Sequence, residues 1–420
     1  MRRQTIAVHH RAFLGLLLAG WIGLRLAGAA PAQEAQGRCA WERLSAGEAS
    51  AQLSLVGLPE LGVLAFGGAD DPRSETVTDT LRLLDQRASS RGSWRQLAPL
   101  GRGPGPRAQH SSILRDAADG TTMLTYGGVD TLPPGGTFTW QSPLGGGGVL
   151  PQTFGRVYDS AFGLRLDGAT PRWEAIEDPA SGPRADHSAV YDPAADAMIV
   201  FGGRSGEADD SRTADLRRLR LGPTPAWEPL ALEGGPDARF AHSAVYDPVG
   251  RRMLVYGGTR DWTQGLDELW SLELDAGWEA ARWRRLAPAG SPPLARFDHG
   301  AVYLPEQGWM LIFGGSSDGL GALNDLAALD LASEPPRWLT PAVSGPLPPS
   351  LRGMGAAWSP IAGQAVFLGG QAEGAIERLA WGLRCLPPGA ATWTPTATAT
   401  RPAASPTPGS RLHLPRVDRP

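Results

Sequence analysis

The chain has 420 residues and a formal net charge of −4, which gives no reason to expect a nucleic acid or an anionic membrane as a partner. Glycine (55 residues) and proline (38 residues) are abundant, which is typical of many short strands joined by turns. The length exceeds that of an ordinary single domain, which favours repeated units that each pack only on their neighbours.

Residues 1–32 have the pattern of a secretory signal peptide. A basic start at Arg2 and Arg3 precedes an apolar stretch, which ends in an A-x-A cleavage site at Ala32. Arg25 interrupts the apolar stretch, and a charged side chain is energetically costly inside the hydrocarbon core of a membrane. This favours a cleaved signal peptide over a retained membrane anchor. The arginine pair leaves a twin-arginine export route open. We expect an exported protein, secreted or at the cell surface, with no stable membrane insertion after cleavage.

Double glycines that close apolar runs recur along the chain, roughly 55–75 residues apart, which indicates a propeller or a repeat array. They are Gly67-Gly68, Gly127-Gly128, Gly202-Gly203, Gly257-Gly258, Gly314-Gly315 and Gly369-Gly370. A strand with alternating leucines follows each pair, and a tryptophan then opens a fourth strand. These tryptophans are Trp94, Trp173, Trp227, Trp283 and Trp338. Six such units predict an all-β protein, a six-bladed β-propeller with four antiparallel strands per blade.

An Arg-x-x-His motif precedes four of these units. Its residues are Arg107 and His110, Arg184 and His187, Arg239 and His242, and Arg296 and His299. The last unit keeps Arg352 but has Gly355 where the histidine is expected. Equivalent positions in different blades lie too far apart for several histidines to bind one ion about 2 Å away. We therefore expect these residues to hydrogen-bond between blades, and we predict no metal site and no cofactor.

The apolar strand, the double glycine, the leucine-rich strand, the tryptophan and Arg-x-x-His together resemble the Kelch repeat. The resemblance covers roughly residues 41–385. It implies four-stranded blades around a central channel, with strands a, b, c and d running outward from the axis and Arg-x-x-His opening strand a. Galactose-oxidase-like proteins also carry Kelch blades, but their copper site needs a cysteine cross-linked to a tyrosine.

The ends of the repeat region suggest how the ring closes. Residues 41–44 look like a d strand but precede the first glycine pair, so we predict that they complete the sixth blade. Trp393 is the alternative source of that strand. The two cysteines, Cys39 and Cys385, bracket the repeats, and in an exported protein they predict one disulfide. The propeller would then span residues 33–386, and the Pro/Thr-rich residues 387–420 would form a disordered tail.

Propeller geometry places the b–c loops and the d–a connections on one face, which we name the b–c face. The longest b–c loop, 129–154, carries Phe138 and Trp140. Other candidate ligand-binding residues are Asp261 and Trp262 in the fourth unit and Asp318 in the fifth.

We predict a monomeric, non-catalytic module that binds a protein or a glycan outside the cell through the b–c face. The alternative is a carbohydrate-active enzyme, a sugar epimerase or a galactose-oxidase-like oxidase. No catalytic residue is predicted, because the chain contains no His-Glu-x-x-His or phosphate-loop motif.

Overall fold

The structure is a computed structural model that describes residues 38–47, 50–70, 77–130, 156–178, 182–206, 211–274, 278–372 and 375–386. The predicted signal peptide, Phe138, Trp140, the predicted tail and Trp393 lie outside the described residues. Every element within those ranges is a strand. No helix of the described residues is long and apolar enough to cross a membrane.

The first strand, β1 (Arg38–Arg43), precedes three blades of four consecutive strands each. Blade 1 is formed by β2 (Ser54–Leu58), β3 (Gly62–Phe66), β4 (Leu81–Asp85) and β5 (Ser93–Leu97). Blade 2 is formed by β6 (Ser111–Ala117), β7 (Gly120–Tyr126), β8 (Ala161–Arg165) and β9 (Arg172–Ile176). Blade 3 is formed by β10 (Ser188–Asp192), β11 (Ala197–Phe201), β12 (Leu216–Arg220) and β13 (Ala226–Pro229).

The second half of the ring has the same order, with two short extra hairpins on the b–c face. Blade 4 is formed by β14 (Ser243–Asp247), β15 (Arg252–Tyr256), β16 (Leu269–Glu273) and β17 (Arg282–Leu286). Blade 5 is formed by β18 (Gly300–Leu304), β19 (Trp309–Phe313), β22 (Leu326–Asp330) and β23 (Arg337–Leu339), with the hairpin β20 (Ser316–Ser317) and β21 (Gly321–Ala322). Blade 6 begins with β25 (Gly355–Ser359) and β26 (Gln364–Leu368), carries the hairpin β27 (Gln371–Ala372) and β28 (Ala375–Ile376), and continues with β29 (Ala380–Cys385).

The N-terminal strand closes the ring, as predicted. β1 pairs antiparallel with β29, so it is the outer strand of blade 6, and Cys39 lies directly opposite Cys385 in that ladder. The two cysteines form a disulfide between residues 346 positions apart in the sequence. A short strand that the sequence did not predict, β24 (Ala342–Ser344), pairs parallel with the outer edge of β1. The disulfide therefore lies inside a five-stranded sheet.

The apolar core is divided among the interfaces between neighbouring blades. The second strand of a blade is almost wholly buried, as in β11 and β19, because it lies between the two adjacent blades. In five of the blades, the tryptophan of the outer strand packs on an aromatic ring of the preceding blade's second strand. In ring order, with the distance between ring centroids, these pairs are Trp173–Phe66 at 5.2 Å, Trp227–Tyr126 at 4.5 Å, Trp283–Phe201 at 4.9 Å, Trp338–Tyr256 at 5.3 Å and Trp41–Phe313 at 4.9 Å. These five tryptophans therefore mark contacts between blades.

Candidate functional site

The chain passes closest to the axis just before the innermost strand of each blade. One residue per blade at this point has a left-handed backbone with φ between 53° and 63°. These six residues, which we name the axial belt, are Gln52, Gln109, Asp186, Ala241, Asp298 and Gly353. Each belt N–H donates to the carbonyl of the belt residue in the preceding blade at 2.7–3.1 Å, and Gln52 donates to Gly353 to close the circle. Six backbone hydrogen bonds therefore join all the blades around the axis.

The arginine of each Arg-x-x-His motif fastens the b–c face of its own blade. Arg184, Arg239 and Arg296 each donate to the carbonyl of the first glycine of the pair and to an acid at the start of the third strand. The Arg239 guanidinium is fully buried and lies 2.5 Å from the Glu268 carboxylate. Burial acts to raise the pKa of Glu268, but the hydrogen bonds from Arg239 and Trp270 outweigh it, so this pKa is lowered.

Arg107 differs from the other motif arginines because Ser160 replaces the acid. Its guanidinium donates to the Gly127 carbonyl and lies over the Tyr158 ring, 4.4 Å from the centroid. Burial without a carboxylate partner lowers the pKa of Arg107 to about 10. Blade 2 therefore stabilises its motif arginine by an aromatic contact, beside the position where the longest b–c loop leaves the blade.

The four motif histidines reach into the preceding blade. Each Nε2 lies 2.6–2.8 Å from a serine hydroxyl of that blade. The pairs are Ser54–His110, Ser111–His187, Ser188–His242 and Ser243–His299. Burial, followed by the nearby motif arginines, lowers the pKa of His110 and His242 to about 3 and that of His187 and His299 well below its usual value. The rings are neutral at physiological pH and serve as bridges between blades.

These histidines should make the fold sensitive to acid. A lowered pKa in the folded state means that the unfolded chain binds more protons below pH 6.5, so the free energy of unfolding falls as the pH falls. Each histidine contributes a slope of about 1.4 kcal/mol per pH unit. We expect His242→Met to reduce the total slope between pH 4.5 and 6 by that amount. Urea unfolding of both proteins at several pH values measures it, and equal slopes would contradict the assignment.

The structure corrects the register of the motif in blade 6. Gly355 opens β25 and pairs with Leu368, as Ser243 pairs with Tyr256 in blade 4, so Gly355 does not stand at the histidine position. Met354 stands there, and Leu351, rather than Arg352, occupies the arginine position, since its carbonyl accepts the N–H of Gly315. The Arg352 guanidinium instead donates to Gln371 on the b–c face. In blade 1 the corresponding positions hold Ser50 and Leu53.

A cavity of about 150 Å³ opens at the axis on the b–c face. The belt residues line it together with the four histidines, Leu53 and Met354. Asp186 is paired there with Arg204, whose Nε lies 3.1 Å from Oδ2. Burial and then the charge of Asp186 raise the pKa of Asp298 to about 7, although Arg352 and Arg204 act to lower it. The axial cavity thus holds one compensated and one uncompensated carboxyl group.

Trp262 lies beside this cavity, in an aromatic cluster with Phe240 and Phe297. Its ring meets Phe240 edge-on at 4.5 Å, and Phe297 is 5.9 Å away. The Arg204 guanidinium lies over both Phe240 and Trp262, 5.2 Å from each centroid. Trp262 is therefore a half-buried member of a cation–aromatic cluster on the b–c face.

The two acidic candidates hold the loops around this cluster. Asp261 accepts the N–H groups of Thr263 and Gln264 at 2.9 and 3.0 Å, which shapes the loop that carries Trp262. Asp318 of blade 5 accepts the N–H of Gly265 of blade 4 at 2.7 Å. The structure thus brings Asp261, Trp262 and Asp318 together on one side of the face, while Phe138 and Trp140 lie outside the described residues.

Sequence reasoning missed the axial belt and its two acids. Its signal is the position just before each motif histidine, where Asp186 and Asp298 alternate with Gln109 and Ala241. Within the described residues, no group of three or more histidine, cysteine, aspartate or glutamate side chains could hold a metal ion. The histidines at the channel mouth are neutral and bound to serines, which suits a rigid lining better than proton transfer.

Comparisons with known proteins agree with this architecture. A scan against protein-family models finds no match. Putative adagio-like protein 2 from Oryza sativa subsp. japonica is 30% identical over 325 residues, which cover 74% of this chain and 45% of that protein. Kelch domain-containing protein 3 from Homo sapiens is 30% identical over 183 residues, 41% of this chain and 44% of that protein. The chain thus spans less than half the length of these curated relatives.

A solved structure, that of YjhT, superposes with a TM-score of 0.56 at 14% identity, over 80% of this chain and 95% of that one. At that identity the likeness concerns the fold alone. The repeat motifs, the ring of six four-stranded blades and these relatives lead to one conclusion: the chain is a six-bladed β-propeller, consistent with a Kelch-repeat family.

Proposed function

We propose that this chain is an exported, non-catalytic binding module that recognises a protein or a glycan through its b–c face. The observation that carries the proposal is the axial cavity, whose uncompensated Asp298 carboxyl lies beside a cation–aromatic cluster on a rigid belt. The Kelch-type relatives suggest a protein-binding module, which supports the same conclusion. Neutral, serine-bound histidines favour binding over the enzymatic alternative.

Export is supported by the signal-peptide pattern and by the disulfide, since disulfides persist in oxidising compartments. Expression of the full chain with its N-terminus intact tests this part of the proposal. We expect protein outside the cell whose N-terminal peptide, read by mass spectrometry, begins at Gln33. Retention in the cytoplasm with residues 1–32 still attached would contradict export.

A blocking experiment tests the face. Gln264 is exposed on the b–c loop of blade 4, and Val249, 89% exposed, lies on the a–b turn of the same blade at the opposite face. We would introduce cysteine at either position and attach a 5 kDa polyethylene glycol maleimide, with the native cysteines held in their disulfide. We expect the polymer at residue 264 to lower binding to extracellular proteins or to a glycan array at least tenfold.

The polymer at residue 249 is the matched control and should leave the same binding within twofold of the unmodified protein. Equal inhibition by both polymers, or by neither, would contradict recognition through the b–c face. Comparison of the protein pool with the glycan array distinguishes the two ligand classes, because both are presented to the same two modified proteins.

A further inference from the structure

The axial cavity has the chemistry to select one kind of group on the partner. Building on the proposed function, we propose that this cavity accepts a basic side chain of a protein partner, an arginine or lysine, whose cationic group pairs with the Asp298 carboxylate. The cavity lies at the centre of the b–c face, so a side chain projecting from a bound surface would enter it along the axis.

The backbone of Asp298 is fully used, while its side chain is not. Its N–H donates to Ala241 and its carbonyl accepts from Gly353, both as part of the belt. Its carboxyl group lines the cavity, and within the part of the chain that the structure describes only burial and the charges of Asp186, Arg352 and Arg204 act on it, with no hydrogen bond. The belt therefore fixes where this carboxyl group points without providing a partner for its charge.

Neighbouring charges leave this carboxyl group poorly stabilised as an anion. Asp186 adds a like charge, and Arg204 is already bound to Asp186. Arg352 lowers the pKa of Asp298 through space, but its guanidinium donates to Gln371. The motif histidines around the cavity are neutral. The resulting pKa near 7 is what an acid shows when burial and like charge outweigh its positive neighbours.

Two amide side chains of the belt add hydrogen-bonding capacity in the same cavity. Gln109 is 7% exposed, and its Nε2 has no hydrogen-bond partner in the described part of the protein. Gln52 Oε1 is likewise buried without a partner there. Buried polar atoms without partners are rare in folded proteins, and a bound water, ion or ligand group is one way in which they are satisfied. Asp298 and Gln52 provide acceptors, which match the donors of a guanidinium or ammonium group.

The size and charge of the cavity narrow the choice of ligand. A cavity of about 150 Å³ is large enough for a group of the size of benzene, which a guanidinium with its adjoining methylenes resembles. Two carboxyl groups would repel an anion, and a neutral sugar would leave the charge of Asp298 uncompensated. A basic side chain compensates that charge and fills the space.

Titration of the full chain with a blocked tripeptide, acetyl-Gly-Arg-Gly-amide, tests the proposal by ligand-observed NMR at pH 8. The matched ligand replaces arginine with citrulline, which keeps the shape and removes the charge. We expect saturable binding of the arginine peptide at roughly 1–10 mM and at least tenfold weaker binding of the citrulline peptide. We also expect tenfold weaker binding of the arginine peptide to the Asp298→Asn protein.

The Asp298→Asn substitution keeps the side-chain shape, and asparagine tolerates the left-handed backbone at this position. Glu306→Gln is the control, because Glu306 is exposed on the a–b turn of blade 5, the same blade on the opposite face. It should bind the arginine peptide as the unmodified protein does. Absence of saturable arginine binding, equal affinity for citrulline, or unchanged binding by Asp298→Asn would each overturn the proposal.

The pH adds an independent measurement. Ionisation of Asp298, next to Asp186, Arg204, Arg352 and the neutral histidines, should strengthen arginine binding about tenfold between pH 6 and 8, and Asp298→Asn should remove that dependence. A calcium titration at pH 8 that outcompetes the arginine peptide at micromolar metal would identify a cation site instead and overturn the assignment.

The two proposals fail in different ways. If the polymer at residue 264 blocks a partner but Asp298→Asn leaves that partner's binding unchanged, the b–c face binds without a basic side chain in the cavity. If the arginine peptide binds but neither polymer affects any partner, the cavity chemistry stands and recognition through this face does not.

Discussion

Removal of the Cys39–Cys385 disulfide should lower the free energy of unfolding by about 4 kcal/mol. The bond connects residues 346 positions apart, and long loops gain most in the chain-entropy account because the open unfolded chain has more conformations to lose. For a protein of this size the loss corresponds to a fall of roughly 5 °C in the melting temperature.

The reason for the large effect is the place of the bond. β1 is separated from the rest of blade 6 by five blades of sequence, and it is held there by its ladder with β29 and by Trp41, which packs on Phe313 and Phe367. Without the covalent link, β1 can detach from β29, because only the strand ladder and the packing of Trp41 hold it in blade 6. The opening of this one strand would then expose the edge of β29 and the adjoining core.

A double alanine variant, Cys39→Ala/Cys385→Ala, measured by thermal and urea unfolding, tests this prediction. Alanine is preferred to serine because Cys39 is buried. The unmodified protein in excess reductant should reach the same midpoint as the variant. Thiol titration of the denatured, unreduced protein should detect no free thiol. An unchanged midpoint in the variant would mean that the ladder alone closes the ring.

Substitution of Gly369 by alanine should cost about as much, roughly 4 kcal/mol, through two separate effects. The first is backbone strain, since Gly369 has φ near 69°, where a side chain costs about 1–2 kcal/mol. The second is overlap, because a Cβ at this position would run into the backbone carbonyl oxygen of Ser50 in the entry to blade 1. Backbone cannot rotate away as a flexible side chain could, so blade 6 must shift from blade 1.

Gly363 provides the matched control in the same blade. It lies in the a–b turn between β25 and β26 with φ near 60°, and an added Cβ would meet nothing within 4 Å. Gly363→Ala should therefore show the strain alone, about 1–2 kcal/mol. The difference between the two variants, measured by urea unfolding, isolates the cost of separating the blades. Equal losses would show that the double glycines are needed for their backbone conformation and not for close packing.

The scaffold could be predicted from the sequence because its signals are local and repeated. The double glycines mark positive φ and close approach at the end of each second strand, and Trp173 and Trp283 mark contacts on the preceding blade. The closure of the ring could be predicted from two features that occur once each. One is an outer-strand signal with no blade before it, and the other is the pair of cysteines at the ends of the repeat region. Both features indicate which segments pair, although these segments are far apart in the sequence and their spatial distance is unknown at that stage.

Most of the candidate site could not be predicted from the sequence, because it depends on contacts between distant segments. Arg352 was taken as the motif arginine of blade 6 because of its residue type, whereas backbone pairing assigns that position to Leu351, and a sequence carries no hydrogen bonds to set the register. Trp262 was predicted as an exposed aromatic residue for ligand binding. Its packing on Phe240 and Phe297 could not be predicted, because these two residues lie in different segments of the sequence. The pairing of Asp186 with Arg204, which leaves Asp298 uncompensated, depends on convergence of blades at the axis.

The axial belt has a consequence for how such a module could change its specificity. Its hydrogen bonds use only main-chain N–H and carbonyl groups, and glutamine, aspartate, alanine and glycine all occupy its six positions in this one chain. The side chain at a belt position can therefore change without loss of the hydrogen bonds that hold the ring together. Substitutions at single belt positions can therefore change the charge of the axial cavity, while the backbone ring keeps the diameter of its opening constant.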